Sequence, residues 1–285
     1  MRIGVGLPTA VGLEDGGQVV TWSRRAEELG FDSVAVIDRL MAPTYDPLTT
    51  LAAAAAVTSR VDLYTSILLS ALRPAALVAA QVATVDRISG GRLWLGVGVG
   101  SRKPDYDAVG SEFGRRGRHM DDQLAALAGW WTGTEDFGTP GPPPVKSGGP
   151  PVLVGGASDA AIDRAAHSAA GWICGVGGAP AFAGGADRVR QAWSDEGRAG
   201  RPWLASVINV ALGPDAVALR ESFLRWYYGA APFVDQLVAN TPTSPAELQE
   251  AIAAHEAVGC DELLLFPCAA DLDQLDRFAV ARTNV

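Results

Sequence analysis

Short β-branched runs alternate along the chain with longer stretches of three- and four-residue apolar spacing, the pattern of parallel strands joined by crossover helices. Val19, Trp22, Ala26 and Leu29 share one helical face, which predicts a helix ending at Gly30, a residue able to take a left-handed cap. Asp32-Ser33-Val34-Ala35-Val36-Ile37 follows at once as a buried strand. The same joint returns at Val258-Gly259-Cys260-Asp261, between an Ala251, Ala254, Val258 stripe and the run Glu262 to Phe266. A weaker copy is Ala170-Gly171-Trp172-Ile173-Cys174. Recurrence of one helix-glycine-strand joint at both ends and in the middle is expected of a βα unit repeated round a closed barrel.

The pattern predicts strands near 3–7, 33–37, 62–68, 92–97, 151–155, 171–174, 203–210 and 261–266. Helices are predicted near 18–29, 47–58, 74–88, 115–132, 158–169, 179–198, 214–238 and 245–258, with a short last one near 271–282. Eight alternating pairs make an α/β protein of TIM (β/α)8 barrel type. One composition break, the Pro/Gly-rich stretch 138–151, cannot hold a helix or a central strand. A two-domain reading would cut there. Because alternation resumes at once with Val152-Leu153-Val154, the stretch is expected to be a surface connection inside a single domain spanning 1–285.

Charge and composition narrow the function. Lys and Arg total 23 against 32 Asp and Glu, a net charge of -9, and the 48% hydrophobic share can build a large core. The only compact basic cluster is Arg115, Arg116, Arg118 with His119, so no nucleic-acid partner is expected. Cys174, Cys260 and Cys268 have no metal-binding spacing and suit a reducing compartment. The start, Met1-Arg2-Ile3-Gly4-Val5-Gly6-Leu7, lacks the long apolar stretch of a signal peptide. The most apolar region, 63–85, is broken by Ser66, Ser70, Arg73, Pro74 and Gln81. A cytoplasmic protein with no membrane partner is expected.

In a barrel of this kind the chemistry follows the strands. Gly155-Gly156-Ala157-Ser158 is a strand-to-helix turn whose amides can face an anion such as phosphate; equally, it can be a tight turn with Ser158 as a helix cap. Gly96 to Ser101 fails the dinucleotide pattern because Ser101 stands where a third glycine belongs, leaving a glycine-lined strand end open to a flat ligand or to barrel packing. Asp38-Arg39 follows a buried strand as either a structural ion pair or a working one. His119, His167 and His255 all fall in predicted helices. Trp130-Trp131, Trp226-Tyr227-Tyr228 and Phe233 can line a pocket, although aromatics at helical spacing more often form core. No nucleophile elbow, HExxH or zinc-spaced Cys/His set is present, so no metal is expected.

The run Thr84-Val85-Asp86-Arg87-Ile88-Ser89-Gly90-Gly91-Arg92-Leu93-Trp94-Leu95-Gly96-Val97-Gly98-Val99-Gly100 resembles the "LDRLSGGR-x-x-LGVGVG" run of the bacterial luciferase-like family of flavin- and deazaflavin-dependent oxidoreductases. Ala26 to Val34, Pro151 to Ser158 and Ser244-Pro245-Ala246-Glu247-Leu248 match in the same order. The resemblance implies a luciferase-like TIM barrel holding FMN or coenzyme F420, with cofactor contacts from Ser66, Ile67, Gly98, Gly100, Gly155, Gly156, Ala157 and Ser158 and the phosphate at Gly155 to Ser158. It further implies a non-proline cis peptide within Ser66-Ile67-Leu68, a homodimer, and hydride transfer to or from a small organic substrate, with monooxygenation if the cofactor is FMN. The strong preference for Arg over Lys and the Ala and Gly bias lean towards the deazaflavin.

Two positions depart from the family. Asp38-Arg39 stands where many members have Asp-His, and an arginine cannot do ordinary acid–base work near neutral pH. Asp38 and Arg39 are therefore the candidates for substrate-side catalytic roles, Arg39 by holding a carboxylate or stabilising a reduced ring. Ala169-Ala170-Gly171-Trp172 replaces a common Asp-Gly-Trp, which removes a polar contact from the barrel rim. The substrate pocket is expected from 101–114 and 134–150. The alternatives are a non-catalytic barrel that binds a flavin or small ligand, and a phosphosugar-binding barrel enzyme.

Overall fold

Eight parallel strands close on one another in chain order in the computed structural model, which describes residues 1–133, 138–229 and 231–282. They are β1 (Arg2–Gly6), β2 (Ser33–Val36), β3 (Asp62–Leu68), β4 (Leu93–Val97), β5 (Val152–Gly155), β6 (Gly171–Cys174), β7 (Trp203–Val210) and β8 (Glu262–Pro267). Closure comes from β8 pairing with β1 in the register Ile3 to Leu263. The barrel is the one anticipated from the alternation of periods.

Side chains alternate along each strand between barrel interior and helix layer. On β8, Leu264 and Phe266 join Ala35, Tyr64 and Leu153 inside the barrel, while Leu263 and Leu265 join Trp22, Leu51 and Phe182 beneath the helices. Space for Phe266 depends on a glycine opposite it. A Cβ on Gly6 would lie 2.3 Å from the Phe266 ring.

The helices are α1 (Gly17–Glu28), α2 (Pro47–Val57), α3 (Ala75–Ser89), α4 (Lys103–Ala108), α5 (Arg116–Thr132), α6 (Asp159–Ser168), α7 (Gly178–Asp195), α8 (Ala216–Tyr228), α9 (Val234–Asn240), α10 (Pro245–Ala257) and α11 (Asp273–Arg282). Gly30 and Gly259 have φ of +74° and +78°, the left-handed joints expected of them. Ser244 and Glu247 form a reciprocal capping box at the start of α10.

Two helical expectations are corrected. The single helix expected near 214–238 is two, because Gly229 turns out of the helical region at φ +60° and Pro232 has no N–H to continue it; Ala230 lies outside the described residues. The second is α4, an additional short helix in the loop after β4.

Within 138–151, Arg87 Nε donates to the Pro143 carbonyl at 2.6 Å and the Val145 amide to buried Asp86 Oδ2 at 2.7 Å, so the connection lies against α3. Gly149 lies against the Trp131 ring of α5, where an added Cβ would fall 2.3 Å from it. Residues 134–137, also expected near a pocket, lie outside the described residues. The three cysteines are free and buried. Among the described residues no helix is long and apolar enough to cross a membrane.

Candidate functional site

A cavity of about 790 Å³ opens at the carboxyl ends of the strands. Its floor is made by the last interior residues of the barrel, Ile67, Ile173, Val207 and Phe266. The loops after β2, β4, β5 and β6 form its walls. Of the predicted site residues, Asp38, Arg39, Ser66, Ile67, Gly100, Gly155, Gly156 and Ala157 line it.

Gly98 and Ser158 do not line the cavity and act through neighbours. A Cβ on Gly98 would fall 1.8 Å from Ile67 Cδ1, so the glycine makes room for the isoleucine that forms the floor. Replacing Gly98 with alanine is expected to displace Ile67 and lower stability by roughly 1–3 kcal/mol, the usual cost of overpacking, as read by denaturant unfolding. A change near zero would mean that Ile67 has other room. Ser158 caps α6, its Oγ accepting from the Ala161 amide at 3.3 Å.

The turn before α6 is open to solvent, with Gly156, Ala157 and Ser158 all exposed. Gly156 sits at φ +127°, a conformation that other residues rarely adopt, and its carbonyl is fixed by the Trp172 indole N–H at 2.8 Å. No protein acceptor meets the amides of Ala157, Ser158 or Asp159 among the described residues. Arg188 of α7 donates to the Ala157 carbonyl at 2.9 Å and pairs with Asp159. Free amides at a helix start beside a guanidinium make a cradle for an anion.

The bulge in β3 carries a cis Ser66–Ile67 peptide, at the position that the resemblance implied. Directly after it, the Leu69 amide donates to Asp38 Oδ2 at 2.8 Å. Arg73 grips the same carboxylate with both terminal nitrogens, at 2.5 and 3.2 Å. Asp38 is therefore paired with Arg73 rather than with its sequence neighbour, which corrects the reading of Asp38-Arg39 as an ion pair. Its acceptors are engaged in holding the exit of β3.

Arg39 turns the other way. Its guanidinium lies over the Tyr227 ring, 4.7 Å from the centroid, and donates to the Tyr227 carbonyl at 2.5 Å. Arg102 donates to the same oxygen at 3.0 Å. Burial, then the neighbouring Arg102, pull Arg39 below its ordinary value.

The far wall takes the pocket-lining alternative open for Tyr227, Tyr228 and Phe233, and adds Phe223, which the sequence did not single out. Phe223, Tyr227, Tyr228 and Phe233 form a run of touching rings, with centroids 5.6 Å apart for Phe223 and Tyr227, 4.9 Å for Tyr227 and Tyr228 and 5.6 Å for Tyr228 and Phe233. This segment takes the place anticipated for 134–150, of which the described part packs against α3 and α5. Trp131 is core under Gly149, and Trp226 points outward. Asn209, also missed, is 5% exposed and presents an Oδ1 without a partner; Ser66 Oγ is another such atom. Burial pushes the thiol of Cys174, on the cavity wall, up to about 12, so it stays protonated near neutral pH. His119, His167 and His255 lie in α5, α6 and α10 and do not line the cavity. Ala169 and Ala170 precede β6 at the opposite rim, where the Ala169 carbonyl accepts from Arg198 at 2.8 Å, so that departure from the family does not touch the cavity.

A family model described as luciferase-like monooxygenase matches residues 1–265. An uncharacterized protein of Mycobacterium tuberculosis (strain ATCC 25618 / H37Rv) is 35% identical over 143 residues, covering 47% of this chain and 49% of that protein. The chain spans about half the length of the curated relatives it matches. Among solved structures, an F420-dependent secondary alcohol dehydrogenase in complex with an F420-acetone adduct superposes with a TM-score of 0.80 at 18% identity, covering 98% of this chain and 97% of that one. The oxygenating constituent of 3,6-diketocamphane monooxygenase from Pseudomonas putida, in complex with FMN, gives 0.76 at 16% identity, covering 98% and 96%. At these identities the structural likeness concerns the fold.

Proposed function

The chain belongs to the luciferase-like monooxygenase family, and from that premise we propose that it is an oxidoreductase transferring a hydride between a flavin-type ring, FMN or the deazaflavin F420, and a small organic substrate. The observation that carries this reading is an open anion cradle at the start of α6 on the rim of a cavity of about 790 Å³. Support also comes from proteins of the same fold bound to FMN or to an F420 adduct.

The residues present suit such a group. The amides of Ala157 to Asp159, with Arg188 beside them, would hold its anionic end. Ser66 Oγ and Asn209 Oδ1, both lacking partners, would meet its polar edge, and Ile67 would support its apolar face. When bound, the ring supplies two-electron chemistry, and with FMN also the activation of O₂. Asp38 is a positioning residue that fixes the Leu69 end of the floor through its own bonds and those of Arg73. The aromatic wall from Phe223 to Phe233 limits water on the substrate side. Arg39 contributes fixed positive charge rather than a transferable proton.

Fluorescence titration of the purified protein with FMN and, separately, with F420 is the direct test. Saturable quenching by one of the two is expected. Gly156→Val, which forces a β-branched residue to φ +127°, should weaken that binding by roughly tenfold or more. Absence of quenching by both cofactors would remove the reading.

A further inference from the structure

Three arginines line the cavity: Arg39, Arg102 and Arg188. Arg188 lies across the cavity at the α6 turn, where it pairs with exposed Asp159. Among the described residues, Arg39 and Arg102 have no carboxylate in ion-pair contact, and both donate to one shared acceptor, the neutral Tyr227 carbonyl. A guanidinium has five N–H donors, and Arg39 Nε is buried with none of the protein's acceptors in reach. Stacking on Tyr227 holds the Arg39 plane in place.

Two like charges are thus brought together on a partly buried wall, from the loops after β2 and β4, with one neutral oxygen between them. Of the carboxylates nearby, Asp38 is held by Arg73 and the Leu69 amide; buried Asp105 accepts from the Met41 amide at 2.7 Å and attracts Arg39 through space without forming an ion pair, so it offsets only part of the two positive charges. An anion bridging the two guanidiniums relieves their repulsion and satisfies the idle donors.

We propose that Arg39 and Arg102 form the substrate's anion site, so that the small organic substrate is a carboxylate whose apolar body lies against Phe223, Tyr227 and Phe233. The assignment to substrate rests on the redox reading above. Two observations favour substrate over cofactor as the source of the anion. The open amides at α6 with Arg188, after β5, are available for the cofactor's anionic end, and Arg39 and Arg102 stand instead beside the aromatic wall. A planar carboxylate also matches the guanidinium fork bidentately.

The test uses three carboxylates, benzoate, phenylacetate and hexanoate, each against its neutral amide, titrated by calorimetry into the protein with and without bound cofactor. At least one acid should bind roughly tenfold or more tightly than its amide. Arg39→Gln and Arg102→Gln should each erase that preference while cofactor affinity stays within about twofold. Arg102→Lys should keep part of the preference, and thermal unfolding of each variant verifies that it is folded. Equal binding of all acids and amides overturns the proposal, as does an unchanged preference in the glutamine variants. Loss of cofactor affinity in those variants also overturns it, by giving the pair to the cofactor's anionic group. An acid preference in a protein that binds neither cofactor upholds the anion site and sinks the redox reading instead.

Discussion

Replacing Asp38 with alanine is expected to lower the unfolding free energy by about 3 kcal/mol, because it strips the partner from a partly buried arginine. The Asp38 side chain is 3% exposed and that of Arg73 16%. The carboxylate accepts two bonds from Arg73 and one from the Leu69 amide. Without it, Arg73 keeps the Leu69 carbonyl at 3.2 Å and a longer contact to half-exposed Asp46 at 3.5 Å. These residual partners place the loss at the lower end of what breaking a buried pair costs. Asp38→Asn, which retains an oxygen for the Leu69 amide but no charge, should fall between the two. Urea unfolding measures all three proteins, and a loss below about 1 kcal/mol for Asp38→Ala would show that Arg73 is adequately paired without it.

Stability should also fall as pH rises from 5 to 8, through a carboxyl at the amino-terminal end of the barrel. Glu262 opens β8 with a fully buried side chain. Ser33 Oγ donates to it at 2.5 Å, and Arg2 Nε lies 3.0 Å away but is not aligned for a hydrogen bond. Burial outweighs both and, with Asp32 and Asp62 nearby, pushes the Glu262 carboxyl up to about 7. The folded protein therefore binds this proton more tightly than the unfolded chain does. Its stabilising effect is complete below the unfolded value of 4.5 and is lost as pH climbs through 7. Between pH 5 and 8 the loss from this group is ~2–3 kcal/mol. Other groups titrate in the same range, so the measurement is the difference between the wild type and Glu262→Gln. The variant should show a flatter dependence of stability on pH, and parallel curves would refute the assignment.

The roles of Asp38 and Arg39 are not visible in their neighbourhoods along the chain. Asp38 precedes an arginine, and charge adjacency pointed to Arg39; the partner that holds it is 35 positions away. Arg39 meets the Tyr227 carbonyl across 188 positions, an acceptor that no side-chain pattern announces. Trp226-Tyr227-Tyr228 carried a real signal, yet helical spacing is the same whether an aromatic face packs into a core or over a cavity. The extra break at Gly229 and Pro232 was written in the residues themselves, and the apolar spacing on either side obscured it.

By contrast, the glycine joints at Gly30 and Gly259, all eight strands and the turn at Gly155 to Ser158 were legible from residue order alone. Their cause is local: a strand buried on both faces needs a continuous apolar run, a helix needs its stripe, and a reversal between them needs a residue free to take positive φ. Those requirements recur with the βα unit, so the sequence by itself determined the barrel and the position within it of the glycine turn that opens α6. Which charges meet, and which stay without a counter-ion, was decided only by closure. Closure brings the loops after β2 and β4 and the end of α8 to one mouth, and the Coulomb and desolvation terms there depend on distances through space that spacing along the chain does not encode.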